Sequence, residues 1–136
     1  MTSYAIGSIE GIAANHVEAL KLAGITTTEA LLERAHDPKG RRELASATEI
    51  DDALILRWAN IADLLRIDGV GKEYSDLLEA AGVDTVKELR HRNAANLTKA
   101  LAEANEKGNF VRSLPGEKEV ERWIEHAKTL SAVLTY

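Results

Sequence analysis

The chain has 136 residues, 45% of them hydrophobic, and its 22 Asp and Glu outweigh 17 Lys and Arg to leave a net charge of −5. That length suits one ordinary domain with a real core. The absence of cysteine excludes disulfides and thiol chemistry, and no apolar run approaches the roughly 18 residues of a membrane span. A soluble, cytoplasmic protein is expected, because the N-terminus also lacks the basic-then-apolar layout of a signal peptide.

Helical spacing runs through nearly the whole chain, and strand signals are almost absent. Val17, Leu20 and Ala23 stripe a first helix from about Ala13 to a glycine stop at Gly24. Thr26 or Thr27 caps a second helix carrying Ala30, Leu31 and Leu32, and Thr26 with Glu29 has capping-box spacing. Asp37-Pro38 reads as cap and first residue of a short helix through Leu44. A longer helix from about Asp51 to Leu65 places Leu54, Trp58, Ile61 and Leu65 on one face. Four more are predicted near Gly71–Ala81, Thr85–His91, Ala94–Glu106 and Glu117–Leu130. The last is striped by Val120, Trp123, Ile124, Ala127 and Leu130.

This order of elements occurs twice. Ile9-Glu10-Gly11-Ile12 through Ala23-Gly24-Ile25-Thr26-Thr27 returns 58 residues later as Ile67-Asp68-Gly69-Val70 through Ala81-Gly82-Val83-Asp84-Thr85. Arg57-Trp58 and Arg122-Trp123 also correspond, now 65 residues apart, so the second copy has gained about seven residues, placed most simply in the Gly108–Gly116 loop. An internal repeat makes each copy one supersecondary unit packed against its twin. The expected architecture is all-α: about eight helices in a single domain over residues 1–136, with repeats at about 7–65 and 66–131. The copies are expected to dock about a pseudo-twofold axis and share a core.

Ile67-Asp68-Gly69-Val70-Gly71-Lys72-Glu73-Tyr74-Ser75-Asp76-Leu77-Leu78 resembles the helix-hairpin-helix motif: apolar, any, Gly, apolar, Gly, a small residue four on, then leucine. The first copy fits the same frame with one departure, Ala13 in place of the second glycine. The two-copy layout with its Trp-bearing helices is similar to a bacterial family of unknown function built from two such units. In such proteins tandem hairpins grip the sugar-phosphate backbone from the minor-groove side without reading sequence, and some hold a monovalent cation on hairpin carbonyls. The resemblance implies phosphate contacts at Gly69, Val70, Gly71 and Lys72, with Gly11 and Ile12 matching and Ala13 marking a degenerate hairpin. Physically, glycines permit a sharp turn that delivers free amides at a helix start, a natural anion site.

The charge distribution bears on that reading. Residues 7–36, 37–65, 66–92 and 93–136 hold 2 and 4, 4 and 6, 5 and 6, and 6 and 6 basic and acidic side chains, so no segment is basic on balance. Any anion site must be local. Lys39, Arg41 and Arg42 form a basic cluster at a helix start, where positive charge is mildly unfavourable and asks for an anionic partner. Arg90-His91-Arg92 ends a helix, which explains it without a ligand. His16, His36, His91 and His126 lack the spacing of a helical metal site, and Asp51-Asp52 reads as a helix start. Trp58 and Trp123 belong to apolar stripes, and Tyr4, Tyr74 and Tyr136 are too dispersed for a base-stacking platform. The apolar residues 132–136 either fold back onto the core or meet another subunit. With no nucleophile-base pair, metal cluster or nucleotide loop, a non-enzymatic module without a resident cofactor is expected. Its partner is either nucleic acid, bound weakly without sequence preference, or another protein.

Overall fold

The computed structural model describes residues 3–9 and 11–136, so Glu10 of the first repeat lies outside the described residues. These residues form eight α-helices: α1 (Ala14–Leu22), α2 (Thr28–Arg34), α3 (Pro38–Thr48), α4 (Asp52–Leu64), α5 (Lys72–Ala80), α6 (Val86–Leu89), α7 (Ala94–Gly108) and α8 (Glu117–Thr129). A 3-10 turn at Ile6–Ser8 precedes them, and Ala5 and Thr27 form one isolated antiparallel bridge.

Local chemistry accounts for most helix starts. Thr27, Asp37, Asp51, Thr85 and Asn93 accept hydrogen bonds from the first-turn amides of α2, α3, α4, α6 and α7. The cap of α2 is Thr27, which bonds the Ala30 amide at 3.1 Å, so the Thr26–Glu29 capping box does not form. Helix α3 continues past Leu44 to a left-handed Glu49, and α6 stops after one turn. The seven extra residues are not confined to one loop. Helix α7 has 15 residues against the 11 of α3, its following loop is five longer than the one after α3, and the stretch before α7 is two shorter.

The buried side chains fall into two clusters, not the single shared core expected from the repeat. One gathers Leu20, Ile25, Leu31, Leu44, Ile55, Trp58 and Ile61 with their neighbours. The other gathers Ile67, Val70, Leu77, Val83, Leu89, Leu97, Leu101, Val120 and Trp123. Each tryptophan is fully committed to its own cluster, and Ile55 rather than Leu54 takes the inward position beside Trp58. Helix α4 packs on α2 and α3, and α8 on α6 and α7. Direct helix packing between the clusters is carried by α4 against α5. Each copy can close on itself because its Trp-bearing helix supplies the apolar lid that a lone hairpin lacks.

Three further connections tie the clusters together. Asp63, buried on the last turn of α4, accepts from Arg66 Nη1 at 2.8 Å and from the Val86 amide of α6 at 2.8 Å. Arg57 of α4 reaches Glu79 of α5 at 3.5 Å. After α8 the chain turns back across the molecule, seating Leu134 in the first cluster and pairing the Thr135 amide with His36 O at 2.7 Å. The apolar residues 132–136 therefore fold back.

Candidate functional site

The two repeated turns share the conformation of their glycines, although a 3-10 turn precedes the first and α4 precedes the second. Gly11 and Gly69, 58 residues apart, have φ of +84° and +89°, and Gly24 and Gly82 repeat the correspondence at +87° and +93°. In this left-handed region a side chain is strained. At Gly69 it would also be crowded, because a Cβ there would lie 3.3 Å from Trp123 Nε1 and the indole would have to yield by a few tenths of an ångström. The second motif glycine behaves differently. Gly71 caps α5 with φ −99° and ψ −168°, an extended conformation open to any residue, and a Cβ there meets nothing within 4 Å. Ala13 caps α1 in a similar extended conformation, φ −81° and ψ 157°. Only one glycine per hairpin is thus required by the turn, and Ala13 does not disturb the first. In urea denaturation, Gly69→Ala is expected to cost about 1–2 kcal/mol and Gly71→Ala to change stability by less than about 0.5 kcal/mol. Equal costs would contradict this assignment.

Helices α1 and α5, like α8, have no side-chain cap, in contrast to α2, α3, α4, α6 and α7. The amides of the two hairpin helix starts are therefore not taken up by a capping side chain. Val70 contributes packing: its side chain is fully buried and its amide donates to Ile67 O within the turn at 3.1 Å. Lys72 is exposed on the first turn of α5. The amide of Asp68 is also committed, donating to His126 Nδ1 of α8 at 3.1 Å.

Two arginines lie beside the turns, a placement their sequence positions alone did not reveal. A Cβ on Gly11 would lie 3.6 Å from Arg57 Nη1, which sets that guanidinium beside the first turn. Arg57 also shares a cleft of about 450 Å³ with Lys72, Glu73, Asp76 and Glu79. Its counterpart Arg122 lines a cleft of about 620 Å³ with Gly69, Trp123 and His126. A corresponding aromatic pair occurs in each copy: His16–Trp58 at 5.1 Å and Tyr74–Trp123 at 5.2 Å, both tilted 55°. His16 and Tyr74 are themselves 58 residues apart. That spacing was available in the sequence, hidden by the change of residue type.

Carboxylates crowd the second hairpin. Asp68, Glu119, Glu121 and Glu125 line the cleft at Gly69, against Lys118 and Arg122. The Tyr74 hydroxyl is held above its usual pKa, first by burial and then by Glu119 and Glu73. It stays protonated at neutral pH and donates to Ser113 O at 3.3 Å.

The basic cluster on α3 does not act as one surface. Arg41 turns inward to 4% exposure and donates to Ala35 O at 2.9 Å and Thr135 O at 2.7 Å. It is therefore unavailable to an external anion, its guanidinium being spent on one carbonyl at the end of α2 and one of the folded-back segment. Lys39 and Arg42 remain exposed, Lys39 within 4.0 Å of Glu43. They stand apart from the residues lining the hairpin clefts. Among the described residues no group of three or more His, Asp or Glu is arranged to hold a metal, and no helix is long and apolar enough to cross a membrane.

No curated protein and no solved structure matches this chain. A family model described as a domain of unknown function matches residues 10–130, a span that includes both Trp-bearing helices, and the chain therefore belongs to the DUF4332 family.

Proposed function

We propose that the chain is a non-enzymatic tandem helix-hairpin-helix module, its two units related by pseudo-symmetry, that engages the sugar-phosphate backbone of nucleic acid weakly and without sequence preference. One observation carries this reading: each turn combines a positive-φ glycine, a helix start without a side-chain cap and an arginine from the Trp-bearing helix. Amides and a guanidinium around one concave turn suit a phosphate oxygen. Arg57, Lys72, Lys118 and Arg122 are the cations at the two clefts, so about four phosphates are neutralised at most. Specific and tight binders use roughly 6–10.

The test is titration of labelled duplex DNA at about 50 and 200 mM salt. Four contacts predict a slope of log affinity against log salt no steeper than about −4. Lys72→Glu and Arg57→Gln are expected to weaken binding several-fold on every sequence alike. Absence of binding at the lower salt would refute nucleic-acid binding and favour contact with another protein through the same face. That second reading is favoured by the four carboxylates around Gly69.

A further inference from the structure

The segment after α8 is held through backbone and side chains together: the Tyr136 hydroxyl donates to Asn60 Oδ1 at 2.9 Å, the Arg41 guanidinium lies 5.7 Å from the Tyr136 ring, and Val133 packs on the first cluster. Arg90 Nη2 donates to Leu130 O at 3.1 Å, Arg66 Nη1 to Ser131 O at 3.0 Å and Arg41 Nη2 to Thr135 O at 2.7 Å. Leu134, 8% exposed, is the one side chain of residues 131–136 that is fully seated. Ser131 and Ala132, which link it to α8, are exposed and carry no regular secondary structure. A void of about 20 Å³ remains beneath residues 132–134.

These bonds, the leucine socket and the Tyr136 contacts do not depend on which copy of the chain supplies the segment. Leu130 and Ser131 are tied to Arg90 and Arg66 and stay with α8, whose apolar face lies in the second cluster, so an exchange would involve residues 132–136 alone. We infer that the groove at Arg41, His36 and Asn60 is a docking site for residues 132–136, and that a second copy of the chain fills it whenever the resident segment is out. Exchange of an identical element is a low-cost route to association. The tethered segment competes at an effective concentration in the millimolar range, so the wild-type chain keeps its groove occupied in cis.

Complementation between two full-length variants tests this. Leu134→Asp empties the groove by placing a carboxylate at an apolar socket, and leaves the arginines intact. Arg41→Ala damages the groove and leaves the segment intact. In size-exclusion chromatography with light scattering, each variant alone is expected to be monomeric at 14.8 kDa per chain. An equimolar mixture should form a dimer through one segment docked in one open groove. Adding Arg41→Ala to the Leu134→Asp chain should abolish that dimer. A mixture that stays monomeric up to about 1 mM, with both variants folded by circular dichroism, overturns the inference. If either variant fails to fold, Thr135→Pro, which removes the amide bonded to His36, and Arg41→Lys replace them under the same two outcomes.

Discussion

Asp63→Ala is expected to lower the free energy of unfolding by about 3–5 kcal/mol, the usual cost of removing one member of a buried ion pair. The side chains of Asp63 and Arg66 are each 4% exposed and meet at 2.8 Å. Substitution leaves a guanidinium with no counter-charge where water cannot replace it. It also strips the Val86 amide, at the first position of α6, of its 2.8 Å acceptor. Asp63 belongs to α4 and Val86 to α6, so the loss falls on the junction between the two clusters as well as on one residue. Urea denaturation of the single variant gives the magnitude, and a double-mutant cycle with Arg66→Met gives the cause. Removing both charges is expected to recover at least half of the loss, because the uncompensated charge disappears with its partner. A double variant as destabilised as the sum of the singles would show that the pair does not account for the effect.

Trp123→Ala is expected to cost about 3–5 kcal/mol and to lower the thermal midpoint by roughly 10–20 °C. The indole is 2% exposed at the centre of the second cluster, carries the Tyr74 ring at 5.2 Å and lies directly beneath Gly69. Its removal opens a cavity and takes away the floor of the hairpin turn in one step. Trp123→Phe keeps most of the ring contact and should cost less than about 1.5 kcal/mol. Circular dichroism melts of the two variants separate volume from polarity. A shift below about 3 °C for the alanine variant would show that the cluster closes without the indole. Because Trp58 is then the remaining tryptophan, its fluorescence reports on the first cluster, where the effect is expected to be smaller.

Features set within a few residues were legible in the sequence. The repeated glycines at positions 11, 24, 69 and 82 all take positive φ, and Thr27 and Asp37 cap the helices they precede. These outcomes follow from the conformational range of one residue or the reach of one short side chain. Helical periodicity likewise placed Trp58 and Trp123 inside. It did not show that they sit in separate cores, because a stripe says that a face is buried and not what buries it.

The same limit explains Arg41. At a helix start, beside exposed Lys39 and Arg42, it has the local signature of a surface cation. Its burial depends on Thr135, 94 residues away. Arg57 and Arg122 were visible as a repeated pair, yet their place beside Gly11 and Gly69 depends on how α4 and α8 pack, through contacts that span a whole repeat. The sequence by itself determined the duplication, the turns, the caps and the helical stripes, all governed by steric and hydrogen-bonding preferences within about one helical turn. Tertiary structure alone decided that the chain forms two cores, that residues 131–136 cross back to the first, and which arginines face a turn. Those outcomes are set by which long-range partners satisfy buried charge and apolar surface together, and no local pattern encodes that competition.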